Sequence, residues 1–168
     1  MIPHQEKHSR GAVVITGAST GIGKTSALHL DSLGFRVFAG VRKDSDGEHL
    51  MRESSGRITP LRIDVTDAST ITSAAGTVAN MVGGAGLAGL VNNAGIVLAG
   101  PLEFLPLDKI RQQFEVNVFG LLAVTQAFLP LLRKARGRIV NMGSISGRVS
   151  NPFIAPYSAS KFSLESFT

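Results

Sequence analysis

One glycine-rich turn, Thr16-Gly17-Ala18-Ser19-Thr20-Gly21-Ile22-Gly23, restricts this chain more than any other stretch. An apolar run with strand character, residues 11–16, leads into it. A segment with helical spacing follows, carrying Ile22, Ala27, Leu28, Leu30 and Leu33, and Gly34 closes it. A strand that turns tightly into a helix aims the helix's free N–H groups, at the positive end of its dipole, above the strand end. A pyrophosphate fits such a place. Gly17 permits the tight turn, Gly21 lets phosphates approach the backbone, and Gly23 lets the helix pack on the strand. Glycine is abundant throughout, 19 of 168 residues, against a usual ~7%.

The alternation continues. Strand character returns at 35–40, 58–64, 87–92 and 138–143. Helical character fills 46–54, 68–81 (with Asp67 as its cap) and 108–133, and a further helix begins near Tyr157. The long segment carries Phe114, Val118, Leu121, Leu122, Thr125, Phe128 and Leu129 on its apolar side, with Pro130 near its end or at a kink. Strands alternating with helices predict βαβ units and a parallel sheet covered on both faces. With right-handed crossovers this is an α/β fold, a Rossmann-like doubly wound parallel sheet. No internal repeat or linker divides residues 11–168, so they form one domain behind a polar tail, residues 1–10.

Composition narrows the function. Hydrophobic residues make up 43% and charged residues 17%, enough for a packed core. There is no cysteine, which excludes disulfides, thiolate metal sites and a cysteine nucleophile. His29 and His49 lack metal-ligand spacing, so no metal is expected. The tail has no apolar core of a secretory signal, and a cytoplasmic location is expected. No apolar run is expected to reach the ~20 residues of a membrane span. The net charge is +5. Its densest run, Arg133, Lys134, Arg136 and Arg138 around Gly137, reads as a helix C-terminus with favourable cations and an αL cap. No aromatic residues interleave with it, so no nucleic-acid partner is expected.

Two other glycine patterns compete. Ala18 to Thr25 ends in Gly23-Lys24-Thr25, a relaxed phosphate-binding loop of nucleotide hydrolases. The strict form needs glycine at position 18. An acid for Mg²⁺ should end a neighbouring strand, yet 87–92 ends in Asn92-Asn93, leaving only Asp64. Gly84-Ala85-Gly86-Leu87-Ala88-Gly89 matches G-x-G-x-x-G but runs from helix to strand, and reads as a connecting turn.

Tyr157 and Lys161 lie four residues apart on one helix face. Phenols titrate near ~10 in water, and a neighbouring ammonium favours the phenolate, so the pair makes a credible acid/base device. Ser144 follows strand 138–143 at the carboxyl end, where ligands of open α/β sheets bind, and its hydroxyl can bond a substrate oxygen. Asn117 sits inside the long helix, an unfavourable place for asparagine without a hydrogen-bonding reason.

Taken together, these elements resemble the short-chain dehydrogenase/reductase family. They are Thr16-Gly17-x-x-x-Gly21-x-Gly23, Asp64-Val65, Asn92-Asn93-Ala94-Gly95, Asn117, Ser144 and Tyr157-x-x-x-Lys161, in the family's order and spacing. The wording around Gly34–Gly40, Gly100–Glu103 and Leu129–Asn141 is similar to the branch with retinol, hydroxysteroid and 3-hydroxybutyrate dehydrogenases. The resemblance implies an NAD(P)-dependent oxidoreductase interconverting an alcohol and a carbonyl by hydride transfer. It implies that Tyr157 exchanges the proton, Lys161 favours its phenolate and holds the nicotinamide ribose, Ser144 orients the substrate oxygen, and Asn117 holds a water. Thr16, Gly17, Ser19, Thr20, Gly21, Ile22 and Gly23 would bind the cofactor, with Asp64 and Val65 at the adenine and Asn93, Ala94 and Gly95 beside it.

Where NAD-specific sites place an acid after the second strand, this chain has Val41 and then Arg42. A guanidinium there suits a 2′-phosphate, so NADP is favoured over NAD. The implied substrate is a small-molecule alcohol or ketone with an apolar body. The resemblance also implies a homo-oligomer for a full-length form, paired through 108–133 and the Tyr157 helix.

The family's members usually run to ~250 residues as one domain. This chain ends 11 residues after Tyr157. The expectation is a sheet incomplete at its C-terminal edge, with 138–143 as an unpaired edge strand. A nucleotide-binding fragment without turnover is the alternative, ahead of a P-loop nucleotide hydrolase.

Overall fold

The computed structural model describes residues 10–167. Of the polar tail only Arg10 falls among them; the reading of residues 1–9 lies outside the described residues. Five strands form one sheet: β1 (Ala12–Ile15), β2 (Arg36–Val41), β3 (Ile58–Arg62), β4 (Gly89–Asn92) and β5 (Arg138–Asn141). Their order is β3-β2-β1-β4-β5, and every pairing is parallel. Val14 stands opposite Phe38 on one side and Leu90 on the other. The order reverses between β1 and β4, the point where open parallel sheets leave a crevice beyond their carboxyl ends.

The helices are α1 (Gly21–Ser32), α2 (Asp44–Glu53), α3 (Ala68–Val82), α4 (Leu107–Phe114), α5 (Leu121–Ala135) and α6 (Ala155–Glu165). Alternate residues of the strands point to opposite faces, so successive residues build two separate cores. Val14, Phe38 and Leu90 join Ile71 and Val78 of α3 and Val124 and Phe128 of α5. Ile15, Val37 and Ala39 join Ala27 of α1 and Leu50 of α2. A third cluster, Val118, Leu121 and Leu164, seats α6.

Local chemistry explains the boundaries. Asp67 caps α3 as expected, its carboxylate accepting from the Ser69 and Thr70 N–H groups. The helix expected to begin near Tyr157 starts two residues earlier, because Pro156 fits a first helical turn whose N–H groups have no intrahelical partner. The single helix expected over 108–133 is three pieces. Between α4 and α5, residues Glu115–Gly120 widen into a π-helical turn, a form that concentrates at functional sites. Pro130 lies inside α5, which continues to Ala135. The αL residue closing α5 is Arg136, at φ 52°, rather than the glycine expected. Gly137 serves close approach instead, since a side chain there would collide with the Leu87 carbonyl. The Gly84–Gly89 pattern is indeed a connecting turn between α3 and β4.

Two expectations about exposure meet different outcomes. β5 lies at the sheet edge, with Ile139 38% and Val140 50% exposed. Leu107–Ala135, however, holds an 18-residue stretch apolar enough to cross a membrane by length and composition, with a mean hydropathy of 1.5. This corrects the expectation that no run reaches that length. The same stretch supplies Val124, Phe128, Leu131 and Leu132 to the core against the sheet.

Candidate active site

A cleft of about 330 Å³ opens beyond the carboxyl ends of the strands. Gly17, Ser19, Thr20, Ile22 and Gly23 form one wall, from the β1–α1 turn. Arg42 follows β2, Asp64 and Val65 follow β3, and Asn93, Ala94 and Gly95 follow β4. Thr20 makes no side-chain capping bond to α1, and no acid stands in its first turn. The open N–H groups and the dipole therefore face the cleft without an internal anion. The compact turn depends on Gly23. A Cβ there would collide with the Gly17 carbonyl and the Asn93 amide.

The β4 loop is tied to this turn. Thr16, 1% exposed, accepts the N–H groups of Asn93 and Ala94 on its hydroxyl, each at 3.1 Å. Asn93 returns the contact, donating its amide to the carbonyls of Thr16 at 2.9 Å and Gly17 at 3.0 Å. Asp64 is braced by the Thr66 N–H and hydroxyl, both on Oδ1.

The second group of residues gathers at α6. Lys161 is buried, and its Nζ donates to the Met142 carbonyl at 2.6 Å, just after β5. The same Nζ lies 5.9 Å from the centroid of the half-buried Tyr157 ring. Burial pushes the Lys161 ammonium below the usual lysine range. Asn117, in the π-helical turn, is 1% exposed. Its Oδ1 accepts the Ile96 N–H at 2.8 Å, and its Nδ2 donates to the Ile96 carbonyl at 2.9 Å and to Ser160 Oγ at 3.0 Å. Ser160 passes its hydroxyl hydrogen to the Tyr157 carbonyl at 2.7 Å. Ser144 caps the short turn 145–147, accepting the Ser146 N–H at 3.1 Å. That turn rests on α6: a Cβ at Gly147 would stand 3.0 Å from the Lys161 carbonyl oxygen.

Gly95 joins the two groups. It lines the cleft, and a Cβ on it would stand 3.3 Å from Asn117 Oδ1 and 3.8 Å from Lys161 Nζ. Not every expected residue faces the cleft. Thr16 is a buried brace, and Gly21 adopts φ +54° without lining the wall. Tyr157, Lys161, Ser144 and Asn117 lie outside the cleft walls. Sequence reasoning missed Gly40, Ile63, Ile96 and Val116, and named Val41 only as the residue standing where an acid would be. Gly40 and Ile63 flank residues it named at strand ends; Ile96 and Val116 are ordinary apolar residues that carried no signal. Ser160 was missed although it lies inside the Tyr157–Lys161 motif, because a serine on a helix is common. Lys24 pairs with Glu53 at 2.7 Å and does not line the cleft, which removes the phosphate-loop lysine of a nucleotide hydrolase.

Comparison with known proteins identifies the family. Residues 11–168 match the family described as short chain dehydrogenase, and the chain belongs to that family. It is 43% identical over 156 residues to dehydrogenase/reductase SDR family member 9 of Bos taurus, covering 92% of this chain and 49% of that protein. It is 39% identical over 163 residues to the mitochondrial D-beta-hydroxybutyrate dehydrogenase of Rattus norvegicus, covering 94% and 48%. Retinol dehydrogenase 5 of Homo sapiens is 42% identical over 161 residues, covering 95% and 50%. The chain thus spans about half the length of the curated relatives it matches. Among solved structures, a short-chain dehydrogenase from Streptomyces avermitilis superposes with a TM-score of 0.87 at 31% identity, covering 96% of this chain and 59% of that one. ElxO with NADP bound gives 0.86 at 28% identity, covering 94% and 65%.

Proposed function

We propose that this chain carries the cofactor-binding half and the acid/base group of an NAD(P)-dependent oxidoreductase that interconverts an alcohol and a carbonyl. One observation carries the reading: Lys161 lies beside Tyr157 and next to Gly95, a residue of the cleft wall. The cleft suits a dinucleotide, because the uncapped α1 N-terminus offers donors to a pyrophosphate. When bound, the nicotinamide supplies or accepts the hydride. Gly17 to Gly23 would hold the pyrophosphate, Asp64 and Val65 the adenine, and Lys161 the nicotinamide ribose. NADP is the preferred form, since exposed Arg42 lines the cleft after β2 where no acid stands to bind a 2′-hydroxyl.

The chain's own residues handle the proton. The Tyr157 hydroxyl exchanges it with the substrate oxygen, Ser144 orients that oxygen, and Lys161 sets its cation beside the Tyr157 ring. Nδ2 of Asn117 is committed to Ile96 and Ser160, so a water beside Lys161 would rest on Oδ1 or the backbone. Relatives are named for a hydroxybutyrate and a retinol; both support an alcohol as substrate, and the retinol supports one with an apolar body. Association through α5 and α6 into a homo-oligomer is part of the same reading.

The test is Tyr157→Phe. It should leave NADPH affinity unchanged while lowering alcohol oxidation by ~10²–10⁴-fold. Unchanged turnover overturns the assignment. Binding without turnover is the second reading, favoured because the cleft is walled by residues 17–116 alone while Ile139 and Val140 on β5 are exposed. Wild-type NADPH binding with no turnover on any alcohol selects it.

A further inference from the structure

The segment after β4 is held to one helix by two amide side chains. Asn117 grips both the N–H and the carbonyl of Ile96. Four residues earlier, Gln113 Oε1 accepts the Leu98 N–H. Residues 96 and 98 are thereby pinned, two residues apart, to α4 and the turn that follows it. The same segment is tied at Ala94 to the Thr16 hydroxyl and at Gly100 to the Phe153 carbonyl, and the bond at Leu98 fixes the stretch between Ile96 and Gly100.

Stability does not account for Gln113. It is 0% exposed, and its Nε2 has no hydrogen-bond partner among the described residues. An unsatisfied buried donor is destabilising, which offsets much of what the bond to Leu98 contributes. Methionine, similar in volume, would fill the site without an orphaned amide. The side chain therefore needs a reason in what it positions.

We propose that Gln113 is a positioning residue for the cofactor cleft. Its bond to Leu98 fixes the segment 95–98, so that Gly95 and Ile96 keep the contour of the cleft at its Tyr157–Lys161 end. Ile96 lines the cleft, and Gly95 stands against Asn117 and Lys161. The inference rests on the reading of the cleft as a nicotinamide dinucleotide site.

The experiment compares the full chain with Gln113→Met, which removes the acceptor, and Gln113→Glu, which keeps one. Three quantities are read: the thermal midpoint, amide hydrogen exchange at Ile96 and Leu98 in the free protein, and the NADPH dissociation constant. Gln113→Met should melt within about 4 °C of the wild type. It should exchange faster at both amides and bind NADPH about tenfold more weakly. Gln113→Glu should restore exchange and affinity together. Unchanged exchange and affinity in Gln113→Met overturn the proposal. So does a loss that Gln113→Glu does not rescue, or one matched by a large fall in midpoint, since either marks a structural role only. A wild type that binds neither NADPH nor NADH overturns the cofactor reading itself. That failure is distinguishable because exchange is measured without cofactor.

Discussion

Lys161 Nζ stands 2.6 Å from the carbonyl oxygen of Met142, joining the middle of α6 to the residue that follows β5. The bond keeps a cation out of water at the carboxyl end of the sheet, beside Tyr157. Removing an ammonium from water is unfavourable unless something accepts its hydrogens, and one carbonyl answers only one of three. A bound ribose and a water complete the set in the proposed reaction.

This burial has a pH signature. Lys161 titrates below its ordinary 10.5 in the folded chain because desolvation disfavours the charge. Below the lowered value both states are protonated, and the cost of burying the cation is fully present. Between the lowered value and 10.5 the unfolded chain binds more protons, so stability rises with pH. The difference in unfolding free energy, wild type minus Lys161→Met, should climb through that window and be flat below it. A difference that stays level up to pH 10.5 would contradict the burial argument.

Asp31 works in the opposite sense. Burial alone would raise its pKa, but the N–H and hydroxyl of Ser55, each at 2.7 Å, and the Arg57 guanidinium together hold it below 3.8. Its stabilising contribution is full above 3.8 and is lost as pH falls through the lowered folded value. Asp31→Asn should cost about 1–3 kcal/mol at neutral pH, much less in strong acid. Denaturant midpoints at two pH values check it; an equal loss at both would be the wrong outcome.

The glycine turn predicts an asymmetric pair of variants. Gly23→Ala drives a methyl group into the Gly17 carbonyl and the Asn93 amide, whereas Gly21→Ala meets no atom and bears only the strain of φ +54°. Gly23→Ala should lose about 1–3 kcal/mol or more and its NADPH binding with it. Gly21→Ala should lose about 1–2 kcal/mol from the left-handed conformation. Equal effects would mean that the close approach is not what the turn requires.

The proposed preference for NADP rests on Arg42. Arg42→Ala should weaken NADPH about tenfold or more, through loss of a charge-assisted contact to the 2′-phosphate, and leave NADH affinity alone. Paired titrations check this. Parallel losses for both cofactors would place Arg42 elsewhere in the site.

Much of this was legible in the sequence, for physical reasons that differ by element. The strand–turn–helix at Thr16–Gly23 and the cap at Asp67 are local, so spacing and residue type suffice to read them. Arg42 was placed because parallel strands deliver their carboxyl ends to one rim, and Asp64 through the family resemblance. The π-helical turn was not legible, because Glu115–Gly120 has unremarkable helical spacing and only the unfavourable Asn117 hinted at it. Gln113 and Ser160 escaped notice for a related reason. Their roles arise from bonds to Leu98 and Asn117, 15 and 43 residues away, and neither type is unusual on a helix. The apolar stretch inside Leu107–Ala135 was misjudged because scattered polar residues mask an 18-residue window of mean hydropathy 1.5.

The most direct test of the central claim is the thermal midpoint of the chain titrated with NADPH, NADH and ATP. A ligand that binds only the folded state adds about 2.7 kcal/mol of stability at 100 times its Kd. The account predicts one cooperative melt raised by NADPH, raised less by NADH at equal concentration, and unmoved by ATP. A midpoint raised by ATP alone, or by none of the three, would contradict it.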